Sequence, residues 1–204
     1  QNSIWLFREY LTKAGAVEKL FRKFDNYLEA LGIIAHKGSI VDATFVEVPR
    51  QRNTKEENDT IRNNEIPEEW IDNPEKMRQK DIDARWMTKN KVRHYGYKNH
   101  IKVDKKSKII RSYKTTDAAV HDSQVLKDLL DKKDSHHDLF ADSAYSGKPI
   151  QEILKKKNIR NRIHEKGYRG KPLNENQKEK NRKKSKARVR VEHIFGFINN
   201  SMKG

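Results

Sequence analysis

Two aspartates lie inside short apolar stretches of this chain, and their positions constrain how it can fold. Asp42 occurs in GSIVDATFV and Asp142 in LFADSAYSG. Both stretches are rich in the β-branched and apolar residues that are typical of buried strands. A carboxylate in a buried strand costs several kcal/mol unless it is paired, and a bound cation is the usual partner. We therefore expect the fold to bring these two strands together around a divalent metal ion.

A third acidic residue, Glu192 in ARVRVEHIFG, lies at helical spacing beside the most basic part of the chain. Magnesium prefers oxygen ligands and is commonly held by a few carboxylates and a substrate phosphate. Two such ions about 3.5–4 Å apart can activate a nucleophile and stabilise the leaving oxygen of a phosphodiester. Asp42, Asp142 and Glu192 are therefore predicted to be the catalytic and metal-binding residues, with two Mg²⁺ or Mn²⁺ ions as cofactors.

Each of these acidic residues also has a simpler interpretation, and the residues alone leave both open. Asp42 fits an edge-strand carboxylate that is bonded to backbone. Asp142 fits the N-cap of a turn or helix. Glu192 fits an ion pair with Arg188, four residues earlier, which would be worth only about 0.2–0.5 kcal/mol.

The net charge of +16 is concentrated in one segment. Residues 155–190 contain sixteen Lys or Arg and three Glu, a net of +13, which predicts double-stranded DNA as a partner. The predicted DNA contacts in this segment are Lys183, Lys184, Lys186, Arg188 and Arg190. Lys98 and His100 share one face of a predicted strand and are further candidates for phosphate contact. An exposed strand face without a ligand is the favoured interpretation of that pair.

The composition argues against several other classes of protein. No run approaches the roughly 18–20 apolar residues of a membrane span, so no membrane partner is expected. The chain has no cysteine, which excludes a disulfide framework and a thiolate zinc site and fits a reducing cytoplasm.

The apolar spacing predicts helices within residues 3–31, with Ser3 as N-cap, a break at Gly15 and a stop at Gly32. Two helices around a turn also fit a helix-turn-helix, although core packing is the favoured explanation of their apolar residues. Residues 49–93 are polar and predict a partly helical insertion. The remaining predicted elements are strands at 40–46, 97–103, 108–115, 138–141 and 159–163, a hairpin turn at 104–107, and helices from Asp122, at 148–157 and at 177–200.

This order predicts an α/β fold with a mixed sheet flanked by helices. Seven ordered motifs then support a family resemblance. They are FREYL, GSIVDAT, the Asp-Ala-Arg-Trp segment at 83–86, HYGYKNHIKVD, TTDAAVHDSQ, LFADSAYSG and RVRVEHIFGF. In these motifs the chain resembles bacterial insertion-sequence transposases of the DDE class, specifically the insertion sequence 5 branch.

The resemblance implies a ribonuclease-H-like catalytic domain at residues 37–204, preceded by an N-terminal helical segment at 1–36. It also implies that Asp42, Asp142 and Glu192 bind divalent metal. The implied activity is cleavage at transposon ends, followed by attack of the freed 3′ hydroxyl on target DNA. A homodimer in the active complex and a location on the nucleoid in the bacterial cytoplasm are further expectations.

The chain departs from the family in its last signature, which places Tyr and Arg before the glutamate and Lys after it. Arg188 matches the Arg, but Ser185 and Asn199 stand at the Tyr and Lys positions. The N-terminal region is also short for the family. One alternative is therefore a truncated, catalytically inactive transposase remnant that acts only as a DNA-binding protein. A basic RNA-binding protein of ribosomal type is disfavoured, because phosphate repels buried acids.

Overall fold

The computed structural model describes residues 2–48, 51–89 and 91–201. The helices in this part of the chain are α1 (Asn2–Lys13), α2 (Ala16–Ala30), α3 (Lys55–Arg62), α4 (Glu68–Ile71), α5 (Pro74–Gln79), α6 (Asp122–Leu129), α7 (Lys148–Lys156) and α8 (Glu175–Asn200). The strands are β1 (Ser39–Glu47), β2 (Arg85–Lys89), β3 (Val92–Asp104), β4 (Ile110–Asp117), β5 (Asp138–Phe140) and β6 (Arg160–Asn161). None of the described helices is both long and apolar enough to cross a membrane.

The six strands form one mixed sheet in the order β2-β3-β1-β5-β6, and β4 also pairs with β3. β1 runs antiparallel to β3 over its whole length. On its other side β1 runs parallel to β5, and β5 runs parallel to β6. The predicted mixed sheet is therefore confirmed, with β1 in its interior.

Helices cover both faces of the sheet. Successive residues of β1 point to opposite faces, so neighbouring residues contact different helices. Ile40 packs with Val191 and Phe195 of α8. Val41, the next residue, packs with the apolar residues of α6 and α7. This alternation places every second residue of β1, including Asp42, on the face that α8 covers.

The two N-terminal helices are confirmed, with differences in detail. Gly15 and Gly32 have φ angles of 59° and 69°, which L-residues rarely adopt, and they end α1 and α2 as predicted. Ser3 is not an N-cap, because α1 already includes Asn2. Core packing is also wrong as the explanation of α1, because its large apolar side chains are exposed: Ile4, Trp5, Leu6, Phe7 and Tyr10.

The predicted strands and helices are present with shifted ends. β3 begins at Val92 rather than Tyr97, because its first residues pair with β2, a strand that the sequence did not predict. The hairpin turn is confirmed, and the Asp104 carboxylate accepts hydrogen bonds from the N–H groups of Lys106 and Ser107. α6 starts at Asp122 as predicted, but its N-cap is His121.

The polar insertion is partly helical, as predicted. It contains α3, α4, α5 and β2, while residues 49, 50 and 90 of the predicted range lie outside the described residues. The fully buried Trp70 anchors it, and the indole N–H of Trp70 donates to Glu57 Oε1 at 2.8 Å. Lys80 pairs with the same Glu57 carboxylate at 2.9 Å. A buried indole and an ion pair therefore anchor this segment.

Candidate active site

The parallel pairing of β1 and β5 places Asp42 beside Asp142. Ser39 lies opposite Leu139 and Ile40 opposite Phe140, where β5 ends, so each aspartate follows two residues after the last paired residue of its segment. Neighbouring strands are about 4.8 Å apart, and residues at the same level of a parallel pair share a face. The negative charge of Asp142 is one of the causes that raise the pKa of Asp42. Two residues 100 positions apart in the chain are thus brought close together, one on β1 and the other just after β5.

Asp42 is largely buried, and it is paired with an arginine from α8. Burial is the main reason why its pKa is raised above the ordinary value, and the nearby Arg188 guanidinium partly opposes that rise. Arg188 Nη2 donates to Asp42 Oδ2 at 2.8 Å, while the N–H of Ala43 donates to Oδ1 at 2.9 Å. The predicted edge position of Asp42 is wrong because β1 lies inside the sheet, but the predicted bond to backbone is present, from the N–H of Ala43. In this structure the cation paired with Asp42 is therefore the guanidinium of Arg188.

Asp142 follows the end of β5 and caps the short 3₁₀ turn at Ser143–Tyr145. Its Oδ1 accepts a hydrogen bond from Ala144 N at 2.8 Å, so the N-cap interpretation is confirmed. Asp142 also lines a groove of about 130 Å³ together with Asp122 and Lys98. The cap leaves the carboxylate partly exposed at this groove, so the structural role and a ligand-binding role are compatible.

Glu192 lies on α8, one turn beyond Arg188, and its side chain is exposed. The predicted ion pair between Glu192 and Arg188 is wrong, because the guanidinium of Arg188 is bonded to Asp42. Within residues 2–48, 51–89 and 91–201, no group of three or more acidic or histidine side chains is arranged to hold a metal ion. The structure therefore brings two of the three predicted acids together and leaves Glu192 on the surface of the helix that covers them.

Lys98 and His100 are buried, so the exposed strand face predicted for them is wrong. Lys98 is 3% exposed, and its amine donates to Asp122 Oδ1 at 2.9 Å and to the carbonyl of Val120 at 2.8 Å. His100 contacts the hydroxyl of Thr116 at 3.0 Å. Helix α6 covers this face of β3. The alternating pattern of residues along β3 does not reveal that a helix packs there. Burial therefore keeps both side chains from contacting DNA phosphate.

The basic residues predicted on α8 differ in how accessible they are. Lys183 and Lys186 are exposed, whereas Lys184 is partly buried and donates to the carbonyl of Ile163 at 2.8 Å. The guanidinium of Arg190 donates to the carbonyl of Lys105 at 2.6 Å. α8 thus presents positive charge to solvent next to the two aspartates, while Arg188 faces inward.

The family model described as a transposase DDE domain matches residues 35–204, which is most of the chain. The chain belongs to this family. No solved structure matches it. Membership of this family supports the predicted role in transposition and DNA recombination.

Two further residues of this DDE domain lie close to the aspartates and were not predicted as site residues. Asp122 was predicted to start a helix, and Tyr145 was not singled out, although it lies three residues after Asp142. The Tyr145 hydroxyl is buried, and no residue in the described part of the chain makes a hydrogen bond to it. Burial raises its pKa well above the ordinary value, and the charges of Asp122, Asp42 and Asp142 add to the rise. The signal in the sequence was the position of Tyr145 within LFADSAYSG.

Proposed function

We propose that this chain is a metal-dependent transposase of the insertion sequence 5 branch, with a ribonuclease-H-like catalytic domain at 37–204 and a helical segment at 1–36. It cleaves DNA at transposon ends and transfers the freed strand to target DNA. The observation that carries the proposal is the closeness of Asp42, on β1, to Asp142, which follows the parallel strand β5, beside the basic helix α8. Its test is metal-dependent nicking of an end-containing duplex.

The residues present fit a hard divalent cation. Asp42 and Asp142 supply oxygen ligands, and the Arg188 guanidinium already places a positive charge on Asp42. Glu192 is proposed as the third ligand, and Mg²⁺ or Mn²⁺ as the ion, with two ions bound. When bound, these ions lower the pKa of the attacking water and neutralise charge on the leaving oxygen.

The residues of the chain have separate tasks in this proposal. The hydrogen bond from Ala144 N holds the Asp142 carboxylate in one orientation at the groove. Lys183 and Lys186 bind the DNA backbone, and Arg188 and Arg190 lie on the same helix beside them. Lys184, which is partly buried, supports this segment by its bond to the carbonyl of Ile163.

Arg188 competes with a metal ion for Asp42. Replacing it with Gln is expected to tighten Mn²⁺ binding about ten-fold, or about 1.4 kcal/mol, because the carboxylate loses its protein counter-ion. Mn²⁺ binding is measured by electron paramagnetic resonance at pH 8, without DNA.

Arg190→Gln is the matched control, because the guanidinium of Arg190 contacts a backbone carbonyl and not an aspartate. It is expected to bind Mn²⁺ as the wild type does. Equal affinities for wild type and Arg188→Gln would show that Arg188 does not occupy the metal-binding position. Loss of the tightened binding in the double variant Arg188→Gln/Asp42→Asn would confirm that Asp42 is the ligand concerned.

We also propose that the active complex contains two copies of the chain, which associate through α1. Its five exposed apolar side chains present on the order of several hundred Å² of apolar surface, a large share of the about 800 Å² that each partner buries in a standard interface. The helix carries two basic residues and one acidic residue, so it is nearly neutral and does not favour DNA.

The double variant Trp5→Ser/Phe7→Ser is expected to be a monomer at concentrations where the wild type is a dimer, because it removes two of the largest exposed apolar groups of α1. Multi-angle light scattering measures the mass directly. Ile71→Ser, at a comparably exposed apolar residue of α4, is the control and should remain dimeric. A monomeric wild type would contradict the proposal.

The inactive remnant predicted as an alternative would differ from an active transposase in DNA cleavage but not in DNA binding. It would bind duplex DNA with the same steep dependence on salt, because the basic face of α8 would be unchanged. It would not cleave DNA at any concentration of Mg²⁺ or Mn²⁺. The match to the transposase family does not favour this alternative.

A further inference from the structure

A histidine from the chain that follows β6 faces the same helix as Asp42. Val41 and Ile163 belong to one apolar cluster, together with residues of α6 and α7. Successive residues of an extended chain point to opposite faces, so the residues that follow them, Asp42 and His164, should face α8. Both side chains do contact residues of α8.

Backbone hydrogen bonds hold His164 close to the end of β5. The chain of β6 donates to the chain of β5 at every second residue, at 2.9–3.1 Å: Arg160 to His137, Arg162 to Leu139 and His164 to Ala141. Ala141 directly precedes Asp142, so His164 is fixed near that aspartate. Because β5 lies between β1 and β6, His164 and Asp42 approach Asp142 from opposite sides.

The imidazole of His164 lies against Ser185 on α8. Ser185 stands where the family signature has Tyr, so α8 carries a short side chain here and leaves room for the imidazole. The distance from His164 Nε2 to Ser185 Oγ is 3.4 Å, longer than the about 2.7–3.2 Å of an ordinary hydrogen bond. The Ser185 hydroxyl itself donates to the carbonyl of Asn181 at 3.0 Å. His164 is only partly buried, so a better acceptor from solvent can reach its Nε2.

The charges around this imidazole favour an anion. Burial lowers the pKa of His164, the positive charges of Arg188 and Lys184 lower it further, and Asp142 acts in the opposite direction. The imidazole is therefore neutral at pH 8, where it donates one N–H. Two cations and a neutral donor thus lie together beside Asp142. A phosphate group fits them, because it carries a negative charge and oxygens that accept hydrogen bonds.

We propose that His164 is a phosphate-binding residue of the active site, whose Nε2–H donates to a non-bridging oxygen of the DNA strand beside Asp142. This contact holds the strand in register with the two aspartates, since contacts to phosphate position a nucleic acid without reading its sequence. The inference rests on the proposed function, because it takes DNA as the partner and Asp142 as part of the site.

The experiment uses a series of end-containing duplexes, each with one uncharged methylphosphonate linkage in place of a phosphate. Fluorescence anisotropy in EDTA at pH 8 gives the affinities without cleavage. His164→Ala is expected to bind the unmodified duplex about ten-fold more weakly than the wild type. At one linkage the methylphosphonate should weaken binding by the wild type about ten-fold and binding by His164→Ala no further, because the two changes remove the same contact.

His164→Gln keeps an N–H near the position of Nε2, so it should bind like the wild type and stay sensitive to that linkage. Lys183→Ala, at an exposed lysine proposed to bind another phosphate, is the control and should also stay sensitive to it. If His164→Ala does not fold, His164→Phe, which keeps a ring without an N–H, takes its place with the same expectation.

The proposal would be overturned if every linkage that weakens binding by the wild type weakened binding by His164→Ala equally. Weak binding by His164→Gln, equal to that of His164→Ala, would also overturn it, because packing rather than the N–H would then be the cause. Failure of the wild type to bind any duplex would overturn the proposed DNA partner as well. Absence of nicking would count only against the proposed cleavage, since this experiment contains no metal.

Discussion

Asp142→Asn is expected to lower metal-dependent nicking of an end-containing duplex by about a thousand-fold, because the metal ions supply several kcal/mol of transition-state stabilisation and lose a charged ligand. The substitution leaves the local structure unchanged, since an asparagine Oδ1 can still accept the hydrogen bond from Ala144 N. DNA affinity should stay close to that of the wild type, because the phosphate-binding residues of α8 are untouched. A gel assay with Mg²⁺ or Mn²⁺ measures the rate.

Asp138→Asn is the control for this prediction. Asp138 lies on β5, the strand that leads to Asp142, but its carboxylate pairs with Arg160 and Arg162. This variant is expected to nick DNA at nearly the wild-type rate. Wild-type nicking by Asp142→Asn would disprove the assigned centre, and absence of nicking by the wild type with either metal would favour the inactive remnant.

Lys102→Met is expected to lower the free energy of unfolding by about 3–5 kcal/mol, because it removes one side of a buried ion pair. Lys102 Nζ lies 2.7 Å from Asp134 Oδ2 and 2.8 Å from Asp131 Oδ2, and the side chains of Lys102 and Asp134 are nearly inaccessible to solvent. Asp134 keeps its hydrogen bonds from Ser39 Oγ and Asp131 N, but it loses its positive partner. The midpoint of urea unfolding, with the slope checked, gives the change.

Lys114→Met provides a matched comparison on the neighbouring strand β4. Lys114 pairs with Asp128, but both side chains are about half exposed, so this variant should change stability by at most about 1 kcal/mol. The double variant Lys102→Met/Asp134→Asn should regain part of the loss, because no buried carboxylate remains without a counter-ion. If Lys102→Met and Lys114→Met lowered the free energy of unfolding by similar amounts, burial of the ion pair would not be the cause of the loss.

The local structure of this chain followed from its sequence because short-range physics determines it. Glycines at 15 and 32 ended helices because their left-handed backbone angles favour glycine, and the apolar residues at 40–46 formed a strand. Element ends were less well predicted, since β2 exists only through its pairing with β3. The burial of Lys98 was missed for a similar reason, because α6 rather than any feature of β3 covers it.

The sequence by itself determined that Asp42 and Asp142 sit in or directly after apolar strands, and that the C-terminal helix is strongly basic. It could not determine what neutralises Asp42. Only the tertiary structure decided that Arg188, which is 146 residues away, holds its carboxylate, and that Glu192 stays exposed on the same helix. The physical reason is that the cost of a buried charge depends on every group packed around it, and packing brings together residues that no local pattern connects.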